Sequence, residues 1–155
     1  MSDPPEARLA ALGLALPPVA APLAAYVPAV RSGQHVYTAG QLPLADGKLL
    51  MTGKVGTQVT VEEGAALART CALNALAAVA SVTGGLSAVT RIVKIVGFVA
   101  SDPSFTGQPL VVNGASELML EVFGDAGRHV RSAVGVAVLP LDAPVEIELM
   151  AEVRD

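Results

Sequence analysis

The chain has 155 residues, of which 52% are apolar and 15% charged, with a formal charge of −4, one cysteine and no tryptophan. Its ten Lys and Arg form no stripe, which excludes the electrostatic footprint of a nucleic-acid binder, and a single cysteine excludes an internal disulfide framework. The length fits one domain with a core of Ala, Val and Leu, and so few charges predict apolar surface that a symmetric subunit partner covers.

Pro4 and Pro5 open a short helix, Glu6 to Leu12, which Gly13 ends. Leu14 to Ala25, rich in Pro and Ala, reads as an irregular arm, so residues 1–25 are expected as helix plus arm and 26–155 as the domain proper. Tyr26 to Arg31 and His35 to Ala39 read as a hairpin around Ser32-Gly33-Gln34, with Gly40-Gln41-Leu42-Pro43 breaking the second strand. Asp46-Gly47 marks a turn before a short strand, Lys48 to Met51. Thr60 and Glu63 have capping-box spacing and start a helix to about Val82, stopped by Gly84-Gly85. Arg91 to Ala100 is a dense β-branched run, expected as a central strand covered on both faces. A second helix begins at Gln108 or Pro109 and ends at Gly124, and two strands follow, Arg131 to Pro140 and Pro144 to Met150. Two helices cannot cover both faces of such a sheet, so they are expected on one.

Leu9 to Val30 is interrupted by Pro17, Pro18, Pro22 and Pro28, and Thr70 to Thr90 by Gly84-Gly85, so neither is predicted to span a membrane. Asp3 and Glu6 carry the wrong charge sign for a secretory signal, and a cytoplasmic location is expected. His35 and His129 lack companion ligands at metal-binding spacing, and Cys71 sits in a helical run as a buried small hydrophobe.

The chemistry concentrates in the last two strands. Arg131 offers a planar fork of donors matched to a carboxylate, while Glu146 and Glu148 share one face of the final strand by its period of two. The Leu-Pro-Leu-Asp-Ala-Pro link is expected to bring these strands close together, which leaves two readings: a site for a small anionic metabolite, or a structural ion pair between Arg131 and Glu146.

The segments Tyr26-Val-Pro-Ala-Val-Arg-Ser-Gly-Gln34, Val36-Tyr-Thr-Ala-Gly-Gln-Leu-Pro43, Ala72-Leu-Asn-Ala-Leu76, Arg91-Ile-Val-Lys-Ile-Val-Gly-Phe98, Val112-Asn113 and the two C-terminal strands together resemble the RidA/YjgF family, the small trimeric reactive enamine/imine deaminases, in a divergent longer branch. The resemblance covers roughly residues 24 to 153. It implies an α+β, chorismate-mutase-like fold: a six-stranded mixed sheet with two helices on one face, in a homotrimer with a central barrel and three clefts between subunits. It implies that Arg131 binds a substrate carboxylate, that Glu146 positions the attacking water, and that Tyr26, Ala39, Gly40, Asn113 and Ala133 line the cleft. Ala133 stands where active members usually carry a cysteine, and Ala39 where they carry a serine. The expected activity is cofactor-independent hydrolysis of a 2-aminoacrylate-type enamine or imine to a 2-keto acid and ammonia, with no metal, nucleic acid or membrane partner. The alternatives are a non-catalytic trimer that binds a keto acid and, less favoured by the acidic charge, a ribonuclease.

Overall fold

The computed structural model describes residues 2–19 and 25–155. Most of the expected arm is included, but its residues 20–24 lie outside the described set. Helix α1 spans Pro5–Ala11, with Pro5 in the first turn, where a missing N–H costs nothing. Leu9 is buried, and the Glu6 carboxylate accepts from the Ser87 amide (3.0 Å) and hydroxyl (2.7 Å), tying α1 to the start of a distant strand.

Strands β1 (Ala29–Ser32) and β2 (His35–Thr38) form the expected hairpin. Next come β3 (Leu44–Ala45), β4 (Lys48–Leu49), α2 (Val61–Thr83), β5 (Val89–Ala100), α3 (Gln108–Phe123), β6 (Val130–Val136) and β7 (Val145–Val153). Both capping-box bonds of α2 form at 3.1 Å between Thr60 and Glu63. The main sheet has the order β1-β2-β7-β5-β6, with β5–β6 parallel and the other pairs antiparallel.

This sheet has five strands where six were expected, because β3 and β4 pair only with each other. Gly40–Pro43 breaks the path of β2, and only Gln41 still bridges β7, at Ile147. The carbonyls of Leu42 and Leu44 turn instead to α2, where Asn74 Nδ2 donates to them at 3.1 and 3.0 Å. That pairing holds the β3–β4 hairpin against the helix and away from the sheet.

A second difference concerns the last two strands. They do not adjoin: β5 lies between β6 and β7. A parallel partner on one side and an antiparallel partner on the other lets the short Leu139–Ala143 link cross the end of β5, a span of two strand spacings, or roughly 10 Å.

Helices α2 and α3 pack on one face and on each other. They approach so closely at Gly114 that a Cβ there would lie 1.9 Å from the Ala65 carbonyl oxygen. Arg69 and Glu121 add a forked ion pair across the helices, at 2.9 and 3.3 Å. Ile92, Ile95, Ile147, Leu149, Leu76, Leu118 and Met119 fill the layer between helices and sheet. Although α2 is long and apolar enough to cross a membrane by length and composition, more than half of its apolar window is buried here as a core helix.

The expectation that β5 is covered on both faces fails within the single chain. Its helix-side residues Ile92, Ile95 and Val99 are fully buried, while Lys94, Val96 and Phe98 on the other side are only partly so. Around them, the open face presents Val30, Tyr37, Val130 (66% exposed), Val134 (44% exposed), Glu146, Glu148 and Met150.

Candidate functional site at the two sides of the sheet

Strand register decides which side chains can meet. Arg131 pairs with Ile95, which pairs with the buried Leu149, so all three point to the helix side. Ala133 pairs with Gly97, whose missing side chain makes room for Val112 of α3, so Ala133 lies on the helix side too. Glu146 pairs with Phe98 and points the other way. Within the chain, therefore, Arg131 and Glu146 sit on opposite faces with β5 between their strands. The ion pair that sequence reasoning kept open does not form.

β6 is an edge strand, and Arg131 leans from it onto α3. Its Nη1 donates to Ser116 Oγ (3.1 Å) and its Nη2 to the Pro109 carbonyl (3.2 Å). Pro109, Asn113 and Ser116 are spaced along one stripe of α3, so Asn113 shares the flank that Arg131 grips. His129 joins the group: its Nε2 lies 2.9 Å from Ser116 Oγ and its Nδ1 2.7 Å from the Gly127 carbonyl. The guanidinium has five N–H donors, and the two bonds to α3 leave three of them for a ligand. The involvement of Ser116 was not anticipated, because nothing in the spacing of residues 116, 129 and 131 announces a shared flank.

On the other face, Glu146 lies against Gly40. A Cβ at Gly40 would run into the Glu146 carboxylate, so the glycine permits the strand to pass at that distance. Burial, and secondarily the charge of Glu148, pushes the Glu146 carboxyl above its ordinary value. Glu148 shares the face but lines a separate hollow of about 300 Å³ with Tyr37, Lys94 and Met150. Tyr26 is half-exposed and, with Gly40, Pro18, Leu44 and Asn74, lines a cavity of about 630 Å³ under the N-terminal arm. Ala39 precedes Gly40, and its carbonyl accepts from Gln41 Nε2 at 3.3 Å. Cys71 is fully buried against the Val145 carbonyl, and burial, followed by the Glu146 charge, pushes its thiol well up.

The expected site residues therefore fall into separate groups. Arg131, Asn113 and Ala133 lie on the β6–α3 flank, Glu146 lies on the open face with Gly40 and Ala39 beside it, and Tyr26 lines the cavity that Gly40 shares with Asn74 of α2. Such an α+β chain, one mixed sheet under two packed helices with polar groups divided between its sides, is a known class. The family model described as "YjgF/chorismate_mutase-like, putative endoribonuclease" matches residues 6–153, and the chain belongs to this family. The chain is 48% identical to protein TCP17 of Trypanosoma cruzi over 96% of its own length and 94% of that protein. Its structure resembles that of Atu1372 from Agrobacterium tumefaciens, a protein of unknown function, with a TM-score of 0.91 and 47% identity over 99% of this chain and 95% of that one. It also resembles Escherichia coli TdcF, solved with bound serine, with a TM-score of 0.65 and 26% identity over 88% of this chain and 94% of that one.

Proposed function

We propose that the protein is a cytoplasmic homotrimer that hydrolyses small enamines and imines derived from amino acids to 2-keto acid and ammonia. The observation that carries this reading is the placement of Arg131: clamped to α3 by two bonds, it keeps three donors at an open sheet edge. The reading gains support from TdcF, a relative whose structure holds serine, a small amino acid with a carboxylate. The division of the candidate groups between two sides of the sheet is also compatible with it, since a head-to-tail ring of identical copies joins two different surfaces of the chain at each interface.

In this reading Arg131 grips the substrate carboxylate through parallel charge-assisted bonds. Glu146 of a neighbouring copy holds a water against the imine carbon, and its raised pKa suits a group that both takes and returns a proton. An enamine first becomes the imine as its β-carbon gains a proton and its nitrogen loses one, and water then adds across C=N to give a carbinolamine. The C–N bond then breaks, ammonia leaves with a proton, and C=O forms. The reaction consumes only water.

The test generates 2-aminoacrylate from serine with a dehydratase and times pyruvate and ammonia release. Release at least about tenfold faster than the spontaneous rate, lost in Arg131→Ala, is the expected result; no acceleration overturns the catalytic reading. A second reading, a non-catalytic keto-acid binder, is favoured by Ala133, whose methyl supplies no proton at the position beside Arg131. Measurable 2-ketobutyrate binding without turnover would select it.

A further inference from the structure

Ser116, His129 and Arg131 make a constellation that the proposed imine hydrolysis leaves unused in part. The Gly127 carbonyl can only accept, so His129 Nδ1 carries the proton directed at it (2.7 Å). In the neutral ring Nε2 is then the acceptor, and it faces Ser116 Oγ at 2.9 Å. The serine hydroxyl therefore donates to the imidazole while accepting from Arg131 Nη1 at 3.1 Å.

The support behind the histidine is rigid. A Cβ at Gly127 would lie 2.2 Å from the Met119 carbonyl oxygen, so the Gly124–Gly127 turn is pressed onto α3 and its carbonyl cannot wander. Nucleophile, base and base-orienting group are each within hydrogen-bond reach of the next, and a cation with spare donors stands beside them. All three side chains are half-buried on the outer side of edge strand β6, where no further strand pairs among the described residues.

We propose that Ser116 is an activated nucleophile, with His129 as its general base, for acyl transfer from short esters that also carry a carboxylate. The free carboxylate sits on Arg131 and the ester carbonyl on Ser116. Oγ forms a bond to the acyl carbon as its proton passes to His129 Nε2, and the developing oxyanion meets a spare Arg131 N–H. The tetrahedral species collapses, the C–O bond to the leaving alcohol breaks, and the alcohol takes the proton from Nε2. A water molecule repeats the sequence on the acyl-serine, releasing the dicarboxylic acid and restoring the hydroxyl. This activity stands independently of enamine hydrolysis.

The probe is a short-chain fluorophosphonate, which forms an Oγ–P bond and expels fluoride, read by intact and peptide mass on the full chain. Monoethyl succinate hydrolysis is followed in parallel by NMR. The expected result is one label per chain, mapped to Ser116 in the wild-type protein, with labelling about 100-fold slower in His129→Gln. Succinate protects the wild type and fails to protect Arg131→Gln. An unlabelled wild-type protein, or a label that maps elsewhere, overturns the proposal and leaves Ser116 as a structural clamp on Arg131. The mapping uses the wild type, so it does not depend on any variant folding.

Discussion

Replacing Arg131 by Gln tests the anchor most directly. The guanidinium has two structural bonds, to Ser116 Oγ and the Pro109 carbonyl, at 3.1 and 3.2 Å. Neutral acceptors at a half-exposed position make these worth about 0.5–1.5 kcal/mol each. Ser116 keeps its contact with His129 after the substitution, so the stability loss should be about 1–2 kcal/mol, or roughly 2–8 °C in melting temperature for a chain of this size. The ligand effect should be larger. A carboxylate held by two charge-assisted bonds loses about 2–4 kcal/mol when the fork is removed, equivalent to roughly 30- to 1,000-fold in affinity. Calorimetric titration with 2-ketobutyrate, differential scanning calorimetry and native mass spectrometry read the two effects separately. Affinity within threefold of wild type in a folded variant would refute the anchor. Disassembly or a melting drop beyond about 15 °C would show instead that the residue is chiefly structural.

Four further outcomes follow from the same geometry. Gly114→Ala sets a Cβ against the backbone carbonyl of Ala65, so overpacking of about 3 kcal/mol, less about 1 kcal/mol of helix propensity, should lower the melting temperature by roughly 4–8 °C. Asn74→Ala strips the donor from the Leu42 and Leu44 carbonyls and should cost about 1–3 kcal/mol, with proteolysis entering first at the β3–β4 hairpin. Glu146 has a folded pKa above its ordinary 4.5, so its protonated form favours the fold and that contribution disappears as pH rises through the folded value. Glu146→Gln should therefore melt above wild type at pH 7–8, with the difference vanishing towards pH 4 in thermal scans. The buried Cys71 thiol should ignore aromatic disulfide reagents in buffer and react to one equivalent in denaturant.

The elements were legible where local chemistry fixes them. Thr60 and Glu63 specify a helix start because both bonds of the capping box close within four residues, and Gly84 specifies its stop by adopting φ of 80°. Pairing order was less legible. The reading that β6 and β7 lie side by side failed because a short link is equally able to cross one intervening strand, and only the long β-branched run of β5 hints that it takes the middle. The sixth strand was lost to Asn74, whose two carbonyl partners lie some 30 residues away in a loop. Within the site, Arg131 stood out as an isolated cation on an apolar strand. Ser116 did not, because a helical serine acquires meaning only when a strand and a turn from elsewhere set Arg131 and His129 against it.

The division of groups between the two sides of the sheet also limits how this chain can work alone. A carboxylate on Arg131 lies on the helix-side edge, and no bending of a five-stranded sheet moves Glu146 through β5 to reach it. Chemistry that uses both must recruit Glu146 from another copy, whereas chemistry that uses Ser116 and His129 is complete on one flank. The two proposals therefore respond differently to dilution. Enamine hydrolysis should fall as the assembly dissociates, and serine labelling should persist for as long as α3, β6 and the Gly124–Gly127 turn stay packed. Measuring both rates across a dilution series on the same sample separates a site built between protomers from one built within a single chain.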